Sequence, residues 1–322
     1  MNERRTRFRP PRRQRGAALL TAMIIVTLVV TLASSMVWQQ WRAVQVEQAE
    51  RARTQAAWIL SGALDFARLI LKEDLKSGRP TALTEPWATP LAEARLSTFL
   101  AADGSSNADD GAEAFLSGSI ADAQARYNLS NLVTADGKVD PEELATLERL
   151  SLAVGLDTAV AQRIATGMRD ATNPGTETNT NAPLLPQSVA QLSWLGLDAA
   201  TIAVLETVVV VLPAATPVNI NTASREVLVG AIKGLDLATA ERILQVRQRT
   251  PFKTLQSFTE QFPTLMPLTA KLDVKSGYFE VRGKLRLADR VLIERSLVHR
   301  LPNFEIQVLR RDRVASLEEV AS

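Results

Sequence analysis

Cysteine is absent from the 322 residues, and histidine occurs once, at His299. The first absence removes disulfides, thiolate metal sites and cysteine nucleophiles. The second leaves a histidine triad or histidine zinc centre without its parts, so His299 reads as a surface or half-buried strand residue. Neither the phosphate-cradling pattern G-x-x-x-x-G-K-[ST] nor the nucleophile elbow G-x-S-x-G occurs. A net positive charge is also lacking outside the first sixteen residues. Arg4, Arg5, Arg7, Arg9, Arg12, Arg13 and Arg15 against Glu3 give that stretch +6, so the chain total of +2 leaves −4 for the rest. A mildly acidic body disfavours a broad polyanion-binding face.

What is present begins at Ala17. From there to Trp38 no charged residue occurs. As a helix this run spans about 33 Å, enough to cross a hydrocarbon core. The arginine cluster keeps its N-terminal side cytoplasmic, which places the body outside. Ala33-Ser34-Ser35 could end a secretory signal peptide. Two features oppose that reading: the apolar run is long, and it continues without glycine or proline to Ser61. Beyond the span, Val46, Ala49, Ala52, Ala56, Leu60, Ala63, Ala67 and Ile70 recur at helical spacing. The pattern predicts one helix to about Lys76. Trp38 and Trp41 fall where indoles favour a membrane interface; Trp58, Trp87 and Trp194 are expected in the core.

The remaining order is sparse β, a helical block, then β again. Residues 77–135 hold loops and short strands, including the segment from Phe115 to Ile120. From 136 to 268 the pattern is helical, with repeats near 150–170 and 218–258. Asp140 caps a helix that opens with Pro141; the stretch DGKVDPEEL mimics half an EF-hand loop, but Leu132 would stand at a ligand position and cannot ligate. GLDTAVAQRI at 155–164 and GLDLATAERI at 234–243 are the same phrase, echoed by GLDAA at 196–200. Glycine ends one helix, leucine fills the gap, and aspartate caps the next. VLETVVVVLP at 204–213 suits a helix end or a strand. Residues 269–322 hold the C-terminal strands: 272–301 alternates with period two, as antiparallel strands do, and a further strand follows at 303–311. The predicted class is α+β: a long N-terminal transmembrane helix (17–38, continued by 39–76), a helix packed on an antiparallel sheet, and a large inserted helical domain.

These pieces carry a resemblance. A basic leader (1–16) ending in Gly16 before an uninterrupted apolar helix resembles the type IV pilin-like proteins. That resemblance implies cleavage by a prepilin peptidase between Gly16 and Ala17, with methylation at Ala17. The family's usual glutamate, fifth after the cut, is Thr21 here. In pilin-like filaments that carboxylate meets the terminal amine of a neighbour. A subunit with nothing above it has no use for a charge that is costly in a membrane. The 218–258 stretch resembles a helix-hairpin-helix module, in which Lys233 and Arg242 would face a phosphate. That leaves a membrane-anchored DNA receptor as the alternative, although Asp236 sits where the phosphate would dock.

Taken in order, the leader, DAQARYNLSNLV (122–133), VNINTAS (218–224) and VKSGYFEVRG (274–283) resemble the K-type minor pseudopilins of type II secretion. The resemblance implies a pilin-like sheet with a helical insertion carrying helix-hairpin-helix-like repeats. It also implies a non-enzymatic place at the tip of a periplasmic pseudopilus, anchored in the inner membrane. The partners would be the I- and J-type minor pseudopilins. Family members bind calcium through an acidic loop in the insert; here Asp170 and Glu177 remain, while Thr172 and Thr178 stand where acids are expected. Two carboxylates would make a weak site.

Overall fold

The computed structural model describes residues 15–96, 114–173, 182–265, 271–287 and 290–316. Helix α1 is continuous over Arg15–Ser77. Its N-terminal part belongs to one compact unit, Met1–Trp58, and the rest of the chain, Ile59–Ser322, forms another. Within the first unit the helix is long and apolar enough to cross a membrane, and its most apolar window is wholly unburied.

In the second unit α1 lies on a five-stranded sheet. The strands are β1 (Leu91–Arg95), β2 (Ala114–Asp122), β7 (Tyr278–Leu287), β8 (Arg290–Arg300) and β9 (Ile306–Ser316), in that spatial order. All pairings are antiparallel. Leu60, Leu64, Ala67 and Leu71 are buried on the helix, and the last three pack on Trp87, Phe279, Val281, Val298 and Ile306. Each fully buried leucine contributes about 1.5–3 kcal/mol. This stripe departs from expectation: Leu64 and Leu71 are buried where Ala63 and Ile70 are predicted, and Ile70 packs partly buried at the edge of the core. Gly283 makes the approach possible; a Cβ there would stand 3.1 Å from Leu60 Cδ2.

The insert leaves the sheet after Asp122 and returns at Tyr278, although β2 and β7 are neighbours with Asp122 opposite Phe279. It holds α2 (Pro141–Ala153), α3 (Thr158–Thr172), α4 (Ala199–Leu205), α5 (Arg225–Ala231), α6 (Leu237–Arg249) and α7 (Leu255–Gln261). Two-stranded parallel pairs brace it: β3 (Tyr127–Asn128) with β4 (Val209–Val210), and β5 (Val218–Asn219) with β6 (Leu272–Asp273). The ambiguous 204–213 run is thus both a helix end and a strand. One apolar core runs from Tyr127 through Leu147, Ile164, Leu205, Leu228 and Phe258 to Val274. The insert's core therefore reaches past the expected 136–268 at both ends, because Leu129, Leu132 and Leu272 pack inward with the helices. Val210 and Leu212 meet Tyr278 and Leu297 on the sheet face opposite α1.

Of the tryptophans expected inside, only Trp87 is buried, edge-on to Phe279 at 5.2 Å. Trp58 is 75% exposed and Trp194 47%. Trp194 rides a short 3-10 turn, Val189–Leu195, whose inward positions are taken by Val189 and Leu192. His299 stacks flat on Tyr278 at 4.2 Å.

Candidate functional site

Polar residues from the 122–133, 218–224 and 274–283 stretches meet at the seam between sheet and insert. Asp122 ends β2 and is 4% exposed. Its Oδ1 accepts from the Gln124 backbone N–H at 2.8 Å. Its Oδ2 accepts from Ser276 Oγ and Thr222 Oγ1, both at 2.6 Å, and from Asn219 Nδ2 at 2.9 Å. Burial pushes the carboxyl's proton affinity above its ordinary value, and the donors from Ser276, Thr222, Gln124 and Asn219 pull it back. Both oxygens thus have donors, as a buried carboxylate requires.

Each neighbour extends the seam. Asn219 also donates to the Thr81 carbonyl at 3.0 Å. Gln124 accepts from the Gly277 N–H at 2.6 Å and donates to the Pro217 carbonyl at 3.1 Å. Asn128 donates to the Ala214 carbonyl at 2.7 Å and accepts from the Leu212 N–H at 3.1 Å. Asn131 both donates to and accepts from the Thr216 backbone, and Asn221 does the same with Phe252. These amides stand in for ladder bonds that irregular chain cannot make, so buried backbone stays satisfied.

Arg300 closes the seam toward α1. It donates to Asp74 Oδ2 at 2.6 Å, Thr81 Oγ1 at 2.9 Å and the Ser276 carbonyl at 2.8 Å. Both members of the Arg300–Asp74 pair are buried. The guanidinium also lies over the Phe279 ring at 4.8 Å. Arg247 is buried too, donating to the Ile220 carbonyl at 2.6 Å; burial lowers its pKa to about 10.

The repeated turns are built for packing. Gly155, Gly196 and Gly234 have φ of 79°, 81° and 78°. Asp157, Asp198 and Asp236 cap the following helices through the N–H groups of Ala159, Thr201 and Thr239. Those bonds, the backbone N–H first, hold Asp198 and Asp236 below the usual carboxylate range. A negative charge therefore occupies the helix end that would receive a phosphate. Lys233 is exposed beside that turn, and Arg242 lies over Phe262 at 5.7 Å. The two are not gathered into a phosphate-gripping site.

In the apolar helix, Thr21 Oγ1 donates to the Ala17 and Ala18 carbonyls at 3.1 and 3.0 Å. Thr27, Thr31 and Ser35 make the same backward bonds. The hydroxyls are satisfied within their own helix and need no partner in lipid.

Comparison with known proteins supplies the rest. Models of "Type II secretion system (T2SS), protein K" match residues 125–214 and 218–275, which together span the insert. The type II secretion system protein K of Klebsiella pneumoniae is 30% identical over 279 residues, 77% of this chain and 80% of that protein. The chain belongs to the type II secretion system protein K family. The Pseudomonas aeruginosa protein K is 29% identical over 327 residues, 94% of this chain and 93% of that one. A solved chain from the GspK-GspI-GspJ complex of enterotoxigenic Escherichia coli shares the fold. Its TM-score is 0.63 at 21% identity, covering 84% of this chain and 99% of that one.

Of the calcium residues implied by the resemblance, one lies among the described residues. Asp170 lies on α3 and pairs with Arg169 at 2.7 Å; Glu177 falls outside the described residues. Among the described residues no group of three acidic or histidine side chains could hold a metal ion. Those residues by themselves do not fit calcium, which takes six to eight oxygens. Sequence reasoning missed Asp74, Asp122, Asn219, Ser276 and Arg300. The available signals were Asp74 three residues past Leu71 on an apolar stripe, and the polar run Asn219–Ser224 bounded by valines and isoleucines.

Proposed function

We propose that the chain is a minor pseudopilin at the tip of the type II secretion pseudopilus, with a role in assembly and none in catalysis. Membership of the protein K family carries the secretion role. The tip position rests on one observation: the span Ala17–Trp38 contains no carboxylate, and Thr21, standing where a pilin subunit would present one, is satisfied on its own helix. Nothing in the span asks for the amine of a subunit above it. The basic leader keeps residues 1–16 cytoplasmic and the body periplasmic, with the anchor in the inner membrane. A prepilin peptidase cuts between Gly16 and Ala17, leaving Ala17 as the methylated terminus.

The I- and J-type minor pseudopilins are the proposed partners, by analogy with the GspK-GspI-GspJ complex in which the solved relative sits. The outward side of α1 offers them a surface. Phe66 and Leu69 are 56% and 54% exposed, and Gly62 has open space beside it. Phe66→Glu with Leu69→Glu should abolish co-purification with I- and J-type partners and leave the thermal midpoint unmoved. Unchanged co-purification would refute this surface. Mass spectrometry of the membrane-extracted protein should find methylated Ala17 as the first residue. A terminus at Met36, after Ser35, would overturn the pilin-type processing.

A further inference from the structure

At the α1 end of the seam two buried carboxyl groups touch. Asp74 is 8% exposed and Glu85 7%. Asp74 Oδ2 takes the Arg300 guanidinium at 2.6 Å. Among the described residues nothing donates to its other oxygen, Oδ1, which is fully buried. Glu85 Oε2 accepts from the Trp87 indole N–H at 2.9 Å, and the Glu85 carboxyl lies within hydrogen-bonding contact of Asp74. An orphaned buried acceptor beside a second carboxyl is a contradiction only if both groups are ionised. Two anions in contact repel, and a buried acceptor without a donor is costly.

We propose that Asp74 and Glu85 hold one proton between them, and that this proton latches the 79–87 segment onto α1. The Glu85 O–H donates to Asp74 Oδ1, and every oxygen of the pair that is buried then has a role. The Arg300 guanidinium is against Asp74, so the proton is placed on Glu85. Glu85 has only Arg79, whose Nε stands 3.7 Å from Oε1 and whose side chain is 59% exposed, so solvent weakens that attraction. The charged groups facing the pair are therefore Asp74 on α1, Arg79 on the segment itself and Arg300 on β8. Lys253, from the insert, lines the same groove as Glu85 and Arg79. Burial raises the proton affinity of Glu85 above its ordinary value, and the hydrogen bond and charge of Asp74 raise it further against the Trp87 N–H. The pair titrates as a unit.

The latch matters because of what it adjoins. Thr81, within the segment, receives Asn219 from the insert on its carbonyl and Arg300 on its hydroxyl. Trp87, two residues from Glu85, is part of the core under α1. Loss of the proton puts a second negative charge beside Asp74 and loosens the segment that joins helix, sheet and insert. The proton affinity in the fold exceeds the unfolded value of 4.5. The stabilisation is thus complete below about pH 4.5 and is lost as pH rises through the raised folded value.

The test uses the full chain in detergent and does not depend on the secretion reading. Infrared difference spectroscopy just above the ordinary carboxyl value of 4.5 should show a protonated carboxylic-acid C=O band. Glu85→Gln should lose it, because the Gln amide supplies the donor without titrating. Asp74→Asn should weaken it at that pH, because burial alone is then left to raise the proton affinity of Glu85. The thermal midpoint of wild type should fall as pH rises above about 4.5, and the Glu85→Gln midpoint should lack that component. Retention of the band in Glu85→Gln, an Asp74→Asn band as strong as that of wild type, or parallel pH profiles for wild type and Glu85→Gln, overturns the shared proton.

Discussion

The insert and the seam that joins it to the sheet are held by different chemistry. Inside the insert Leu129, Leu132, Leu147, Leu192 and Leu205 are fully buried, and shape alone determines their neighbours. At the seam Asp74, Asp122, Asn219, Ser276 and Arg300 are also buried, and direction determines their neighbours. Apolar contacts can be exchanged for others of equal area, so a domain built from them could slide on its support. Hydrogen bonds fixed at 2.6–3.0 Å from Asp122 and Asn219 to three separate segments leave one docked position. A two-strand attachment, leaving at Asp122 and returning at Tyr278, gains orientation from the seam that its own covalent links do not supply.

The sharpest way to break that comparison is to remove one charge from the seam. Arg300→Met strands Asp74 and takes a donor from the Ser276 carbonyl, while Thr81 Oγ1 keeps the Ser276 N–H. Removal of one partner from a buried pair costs about 3–5 kcal/mol. Denaturant unfolding of the full chain should show that loss, and Asp74→Leu with Arg300→Met should recover part of it, because no charge is then left alone. On the other side of the comparison, Leu147→Ala opens a cavity within the insert. The expected cost is about 2–5 kcal/mol, and co-purification with partners should survive it at low temperature. If Arg300→Met costs less than Leu147→Ala, the seam is not the more demanding region.

The same contrast explains what could be read in advance. Helix α1, the glycine turns and the caps are local: Gly155, Asp157 and Ala161 lie within one helical turn or so, and their chemistry is visible in seven letters. The Asp140 cap, which accepts from the N–H groups of Glu142 and Glu143, was legible for the same reason. The period-two alternation of 278–287 and 290–300 likewise announced the sheet. The seam joins residues 81, 122, 219, 276 and 300, and no spacing rule links positions so far apart. Asp122 looks like an ordinary strand-ending aspartate until Asn219 and Ser276 are brought to it. The insert's edges were misplaced for that reason too: Tyr127 and Leu272 reach its core only through β3–β4 and β5–β6 pairing. The α1 stripe slipped by one residue at two places because Ala63 beside Leu64, and Ile70 beside Leu71, satisfy the same apolar pattern until the sheet is packed on them.

A smaller effect tests whether the seam's amides act by direction. Asn219→Leu keeps the branching of the side chain but replaces its amide with methyl groups, which removes the donor to Asp122 Oδ2, the Thr81 carbonyl and Ser276 Oγ. Unsatisfied buried groups cost about 1–3 kcal/mol. Asn219→Asp should be worse than Asn219→Leu, because it sets a second carboxylate against Asp122. An apolar seam would give the reverse order, and urea unfolding of the two variants decides between them.

The smallest expected effect comes from the sheet face that carries the insert, at His299. Its imidazole stacks on Tyr278, and burial lowers its pKa below the ordinary 6.5. The folded state therefore holds the proton less tightly than the unfolded chain. The stabilisation is present above about pH 6.5 and declines as pH falls toward the lowered folded value. This slope runs opposite to that of the Asp74–Glu85 pair, so the two can be separated in one set of thermal profiles. His299→Phe keeps the stack and cannot titrate. Its midpoint should lose the acid-side decline of wild type while Glu85→Gln keeps it. If His299→Phe and wild type decline alike below pH 6.5, the acid sensitivity lies elsewhere, and the stacked pair belongs with the insert's apolar packing instead of with the charged seam.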